Sequence, residues 1–455
     1  MKTNTSMLKQ SFAGIAACFA GILFAIPTID PSSVQVVQDV GNRKVTVKYT
    51  LTGEPAVVTV DFQTNSAAGG WASIGGEKFA RVAGDVNSLV TNLNTECRIT
   101  WQPRDEDAWP NQFVANGNFR DEVKAWATNN PPPYMIVDLV TKPGKKWYYP
   151  SASAIPGGIT NDLYKTTRMA FRLVPSSHVQ WRMGAPSTEV GQTSSDQIHE
   201  PVHYVTLTKD CYLGVFPVTQ YQHSKSNTGN SRWPSTVTNN VSTASGTTPP
   251  YTDTYPVETV CWSDLRGWYN NAQYDGDWPE DGHAVSIKSL IYYFRTHMKI
   301  PSLDLPTEAV WEYACRAGTD TGTYAGALTA ASSSSADPVV DKIAWYSKNA
   351  GGFTHPVGLK EPNAWGFYDM IGNVFEWCLD QYEGGSNAMS SADVTDPEGL
   401  NNSVTYWMRV KRGGSYSTGA YGCRSAKRDA TGAREGAASN KGIGYRLCCD
   451  AMALD

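Results

Sequence analysis

The chain has 455 residues, 41% of them hydrophobic and 18% charged, with a formal net charge of -5. That length leaves room for about two or three domains and a sizeable core, and the composition excludes a disordered chain. The mild acidity excludes a whole-chain nucleic-acid binder.

The chain opens with Lys2 and Lys9 around a polar start, then an apolar, small-residue-rich run from Phe12 to Ile26 that Pro27 stops. This predicts a signal peptide over 1–27 with cleavage near Ala25, the run being too short for a spanning helix. Lipidation at Cys18 is the competing reading, although the apolar run continues past that cysteine. No later segment is long and apolar enough to span a bilayer, so the protein is expected to be exported: periplasmic, on the cell surface or secreted.

Val34–Val40, Lys44–Leu51 and Ala56–Phe62 alternate apolar and polar residues around Gly41-Asn42 and Gly53-Glu54, the pattern of antiparallel strands and tight turns. Cys97–Gln102, Glu122–Ala127 and Tyr134–Leu139 read as further strands. Together they predict an all-β sandwich of immunoglobulin or fibronectin type over 28–173, used as a spacer or adhesive unit. Thr167–Pro175 then runs as a strand into a second domain over 174–455.

In that domain Val202–Leu207 and Tyr212–Val218 read as a hairpin-like pair of strands. Ser224–Pro250 is a polar loop. Ser286–His297 presents Ile287, Leu290, Ile291 and Phe294 on one helical face. Glu308–Ala317 reads as a helix with Thr307 at its N-cap and Glu308 at its positive end.

Eight cysteines follow Cys18, at 97, 211, 261, 315, 378, 423, 448 and 449, with no CxxC pair. A structural zinc site is not expected; a disulfide and buried thiols both remain open. His199-Glu200-Pro201-Val202-His203 has the letters of HExxH, but that motif needs a helix, and Pro201 with the strand after it opposes one. Both histidines are read as structural. Neither a Ser/His/Asp triad nor a phosphate loop stands out.

Arg409–Leu447 is dense in Gly, Ser and Ala and lacks a 3.6-residue apolar period, which predicts short strands and loops. Between Arg409 and Arg446 it carries nine Lys/Arg against Asp429 and Glu435. Such a segment finds acidic partners within the fold, since arginine forks suit carboxylates, or it faces a ligand.

RVKRGGSY, CRSAKR and GYRL in this stretch resemble the closing signature of the formylglycine-generating enzyme, or sulfatase-modifying-factor, family. LPTEAVWEYACRAGT (Leu305–Thr319), HPVGLKEPNAWGFYDMIGNVFEWC (His355–Cys378) and the Met183–Thr219 stretch agree in order and spacing. The resemblance covers about Val174–Cys449. It implies an α+β, loop-rich fold related to C-type lectins, and it makes Cys423, Ser415 and Trp377 the candidate catalytic residues. In active members two cysteines bind copper(I), a soft ion that prefers thiolates. Here the first of the two falls on Thr418, so copper is doubtful; Cys448 or Cys449 would have to stand in. The resemblance also implies calcium, held by the Glu376 carboxylate and the carbonyls of Ile371, Gly372 and Val374. The alternative is that Glu376 pairs with Arg409 or Arg446.

Three functions stay open: an exported, non-catalytic binding or structural scaffold for an unknown protein or surface ligand, a formylglycine-generating oxidase, or another activity of the superfamily. In a sharper form of the first, the chain resembles the variable proteins of diversity-generating retroelements. Ligand contacts would then fall between the fixed motif residues, at Ser417, Thr418, Tyr421, Lys427, Asp429, Thr431, Glu435 and Lys441.

Overall fold

The computed structural model describes residues 26–65, 70–74, 81–103, 114, 116–140, 144–225, 253–267, 269–270, 273–274, 278, 284–287, 289–382, 390–399, 408–432 and 442–451. Most of the expected signal segment with Cys18, nearly all of the Ser224–Pro250 loop, and Glu435 and Lys441 lie outside these residues.

Two antiparallel sheets form the N-terminal part. One runs Thr28–Ile29, Val45–Thr52, Glu96–Trp101, Val82–Gly84, with Gln35–Gln38 also on Val45–Thr52; the other joins Trp71–Ser73, Ser88–Val90 and Phe119–Ala127 to Ala56–Asn65. Val45, Val47, Tyr49 and Leu51 are buried at alternate positions, as a half-buried strand requires. They share a core with Val58, Val60 and Phe62 of the other sheet and with Trp101, which packs 5.0 Å from the Phe62 ring.

The remainder is mostly strand and loop with short helices. Its five-stranded sheet runs Lys146–Tyr149, Tyr134–Asp138, Arg168–Val174, Cys211–Gly214, Cys448–Asp450, antiparallel throughout. The Tyr134–Leu139 strand, expected in the sandwich, is therefore hydrogen-bonded into the same sheet as the closing strand. Its Tyr134, Met135, Ile136 and Val137 are all buried, which alternation alone does not reveal.

The Val202–Leu207 and Tyr212–Val218 stretches do not form a hairpin. His203–Leu207 pairs with Val179–Met183 and, in parallel, with Val394–Thr395, whereas Cys211–Gly214 pairs with Arg168–Val174 and the closing strand. The intervening Thr208 is held instead by Asp396, whose carboxylate accepts its N–H at 2.8 Å.

The helix expected over Ser286–His297 starts later, at Leu290–Met298, because the Ser289 hydroxyl caps it through Tyr292 N–H. The other helix spans Glu308–Arg316, with the Thr307 hydroxyl accepting from Val310 N–H as expected. A second, mixed sheet runs Arg428–Gly432, Met408–Arg412, Phe375–Gln381, Ile443–Gly444 and carries most of the closing segment. Among the described residues no helix is long and apolar enough to cross a membrane.

Candidate functional site

The basic closing segment is neutralised inside the fold. Arg412, fully buried, donates to Ala426 O at 2.6 Å and to Glu312, and lies 3.4 Å from Glu308. Arg428 grips Glu308 with two bonds, Nε to Oε1 at 2.6 Å and Nη2 to Oε2 at 2.8 Å. Arg424 reaches Glu189, Glu200 and Asp196 at 2.7, 2.9 and 3.1 Å, and Lys427 also binds Asp196. Lys411 faces Asp429 across the strand pair, 3.6 Å apart. Burial alone would lower the Arg412 guanidinium, yet Glu312 and Glu308 raise it above its usual value. These forks match planar carboxylates to planar guanidinium groups, which lysine does less well.

Three of the acidic partners were missed from sequence although a signal was present. Glu308, Glu312 and Arg316 recur every four residues on the Glu308–Arg316 helix and so share a face. Arg316 Nε donates to Glu312 Oε1 at 2.8 Å, leaving Oε2 to Arg412. Glu200 of the HEPVH stretch is likewise an arginine partner. His199 ends a short helix and hydrogen-bonds Ser195 O, while His203 begins a strand and hydrogen-bonds Pro201 O. The two imidazoles share no helical face.

Gly413 and Gly414 have φ of 90° and 76°, a region closed to most side chains. A Cβ on Gly413 would lie 2.8 Å from Met370 O, and one on Gly414 would touch Cys423 Sγ and Thr418 Cγ2, each at 3.4 Å. The Gly-Gly turn therefore brings Thr418 and Cys423 together on one backbone surface. Thr418 Oγ1 accepts Ser415 N–H at 2.9 Å and lies 3.2 Å from Ser415 Oγ. Cys423 is buried, and burial pushes its thiol up to about 12. One protonated thiol beside a hydroxyl does not fit copper(I), which needs two thiolates. Trp377 lies away from this turn: its indole N–H donates to Val260 O at 2.8 Å within the other core cluster.

Glu376 also has its oxygens engaged. Oε1 accepts from Arg446 Nη2 at 2.7 Å and Nε at 3.2 Å; Oε2 accepts from Trp311 Nε1 at 2.7 Å and Arg446 Nε at 3.0 Å. Arg446 continues to Gly214 O and Tyr368 O. A dication on this carboxylate would sit against a buried guanidinium, so the donor set does not fit calcium. Ile371, Gly372 and Val374 are buried beneath it; Gly372 N–H donates to Gly413 O at 2.8 Å.

The intervals between motif residues behave differently. Ser417 is exposed, and Thr418, Tyr421, Lys427, Asp429 and Thr431 are half-buried, while Arg412, Ser415, Cys423, Arg424, Ser425 and Arg428 are buried. Thr418 O accepts Ser347 N–H, close in sequence to the Trp345 ring, which stacks on His355 at 3.8 Å and lies 4.1 Å below the Lys360 ammonium. Tyr421 reaches Ala330 O at 3.2 Å.

The model of the sulfatase-modifying factor enzyme 1-like domain matches residues 172–451. A formylglycine-generating enzyme of Thermomonospora curvata is 34% identical over 117 residues, covering 25% of this chain and 38% of that protein. The chaperone protein LppX of Paenibacillus barcinonensis is 30% identical over 208 residues, 39% of this chain and 64% of that one. The chain thus spans less than two thirds of these relatives. Among solved structures, Treponema denticola variable protein 1 superposes with a TM-score of 0.42 at 22% identity, over 62% of this chain and 95% of its own. With the matched residues covering more than half its length, the chain belongs to the sulfatase-modifying factor enzyme 1-like family.

Proposed function

We propose that this family domain is a non-catalytic scaffold in an exported protein, binding a protein or surface ligand through the side chains that interrupt its closing motifs. The observation that carries the reading is the Thr418–Cys423 pair: the turn places the two residues together, but only one is a thiol and burial keeps it protonated. The ligand-facing set is Ser417, Thr418, Tyr421, Lys427, Asp429 and Thr431, joined by Glu435 and Lys441. All six described members are at least partly exposed beside buried motif residues, which supports a division between fold and contact. In the same proposal 1–27 is a signal peptide, 28–173 a sandwich-type spacer, and 174–455 a domain related to C-type lectins. A retroelement-diversified version would leave a near-copy of the closing coding segment beside the gene, differing at adenines; its absence would remove that version.

The alternative is a formylglycine-generating oxidase, which the names of several relatives favour. Copper(I) titration of the chain from residue 28 onward, beside Cys423→Ser, separates the two. Weak binding indifferent to Cys423 supports the scaffold. Tight one-to-one binding lost in the variant, followed by copper-dependent oxygen consumption with a sulfatase-type cysteine peptide, would overturn it.

A further inference from the structure

The eight described cysteines are free and buried, yet two of them face each other. In the pairing of Cys211–Gly214 with Cys448–Asp450, Cys211 lies opposite Asp450, Tyr212 opposite Cys449 and Leu213 opposite Cys448. Side chains alternate across a strand, so Cys211 and Cys448 project to one face and Cys449 to the other. The packing agrees. Cys211 and Cys448 belong to the core cluster of Trp311 and Val410, and Cys449 to that of Tyr212 and Trp377.

Cys211 and Cys448 are diagonal neighbours, a relation within side-chain reach across a pair of strands, and their thiols hydrogen-bond. Neither is sealed: they are 7% and 9% exposed. Both line a cavity of about 210 Å³ with Asp210, Asp304, Leu305 and Asp450. A small thiol reagent has a route to them that the fully buried Cys315, Cys378 and Cys423 lack.

We propose that Cys211 and Cys448 form a redox-modification site, oxidised by an external disulfide to a bond that ties the closing strand to its neighbour. The hydrogen bond to Cys211 and burial hold the Cys448 thiol well above the usual thiol range, which assigns the first attack to Cys211. The Cys211 thiolate attacks the oxidant's disulfide and expels one thiol, leaving a mixed disulfide. Cys448 then gives up its proton and attacks the Cys211 sulfur, expelling the second thiol. Two electrons pass to the oxidant, and the two protons end on the released thiols. The bond would close a loop from 211 to 448, and long loops gain most from cross-linking in the chain-entropy account. An oxidising compartment would maintain it. The site does not depend on the ligand-binding reading.

The test is a peptide map of the full chain after oxidised glutathione and alkylation of the remaining thiols. The expected product is a Cys211 peptide joined to the Cys448 peptide, reversed by dithiothreitol, with a melting temperature raised by on the order of 5 °C or more. Cys449→Ser should keep the link, and its closing peptide then has Cys448 as its sole thiol, so this variant decides even if Cys448→Ser does not fold. Both cysteines recovered reduced, separate glutathione adducts, or a link through Cys449 would each overturn the proposal.

Discussion

Arg424→Met removes one guanidinium from the centre of three carboxylates while keeping the aliphatic stem. In the native protein Arg424 is fully buried, 2.7 Å from Glu189, 2.9 Å from Glu200 and 3.1 Å from Asp196. After the change Asp196 keeps Lys427. Glu200, 2% exposed, keeps only Arg428 N–H at 3.3 Å and Lys427 at 3.9 Å. Breaking a buried ion pair from one side costs about 3–5 kcal/mol, on the order of 10 °C in melting temperature for a domain of this size. The loss should depend on pH with a defined sign. Burial already lifts the Glu200 carboxyl above its ordinary value, with Arg424 opposing, so the variant lifts it further. A carboxyl raised in the folded state contributes stability below its unfolded value and loses it as pH rises. Urea denaturation should therefore show a smaller deficit near pH 5 than near pH 8, and Glu200→Gln in the same background should recover part of it. A cost below about 1 kcal/mol at both pH values would refute the buried-clamp account.

Thr418→Cys should supply the second thiol at the Gly414 surface and strengthen copper(I) binding by orders of magnitude in competition with a chromogenic chelator; no gain would contradict the placement of the pair. Excess EGTA should leave the melting temperature within about 1 °C, since Glu376 is engaged by Arg446 and Trp311, and a larger drop would restore a calcium role. Two buried groups predict opposite pH trends. Asp380 is raised to about 7 by burial and by Glu308, so stability falls between about pH 4 and 7 by up to about 4 kcal/mol, and Asp380→Asn should flatten that slope. His223 is lowered to about 4 by burial; it binds fewer protons when folded, so stability is lost as pH falls from about 6.5 to 4. His223→Gln should flatten this acid limb, and unchanged denaturation profiles in both variants would reject these assignments.

The sequence exposed the elements with strong local signals and hid those decided by distant partners. Thr307 was readable as an N-cap because its hydroxyl acts on the Val310 N–H of the same turn. Tyr134–Asp138 was readable as a strand but not as part of the five-stranded sheet, because its register is set by Arg168–Val174, more than thirty residues later. The arginines of the closing segment announced a need for acids without naming them. Glu189, Asp196 and Glu200 lie more than 220 residues before Arg424, and only folding brings them together. The Thr418–Cys423 approach was legible through family spacing, and its physical cause, two glycines with positive φ, became visible in the backbone.

This arrangement separates what holds the closing segment from what it shows to solvent. Arg412, Arg424, Arg428 and Arg446 spend their hydrogen bonds inward, on Glu312, Glu200, Glu308 and Glu376. Ser417, Asp429 and Thr431 sit between them, and their exposed faces bury little apolar area. Substitutions there should cost within about 0.5 kcal/mol each, as surface changes do, except that Asp429 also gives up its 3.6 Å contact with the Lys411 ammonium, itself worth at most about 1 kcal/mol at a partly exposed site. Arg412→Met should cost about 3–5 kcal/mol, because it strands Glu312 with Arg316 alone among its charged partners. A set of Ser417, Asp429 and Thr431 variants measured by urea denaturation beside Arg412→Met decides the matter. If the surface variants destabilise as much as the arginine variant, the segment folds through its exposed side chains and cannot serve as a tolerant contact surface. If they are near neutral, side chains at these positions are free to change for binding while the buried arginines keep the backbone in place.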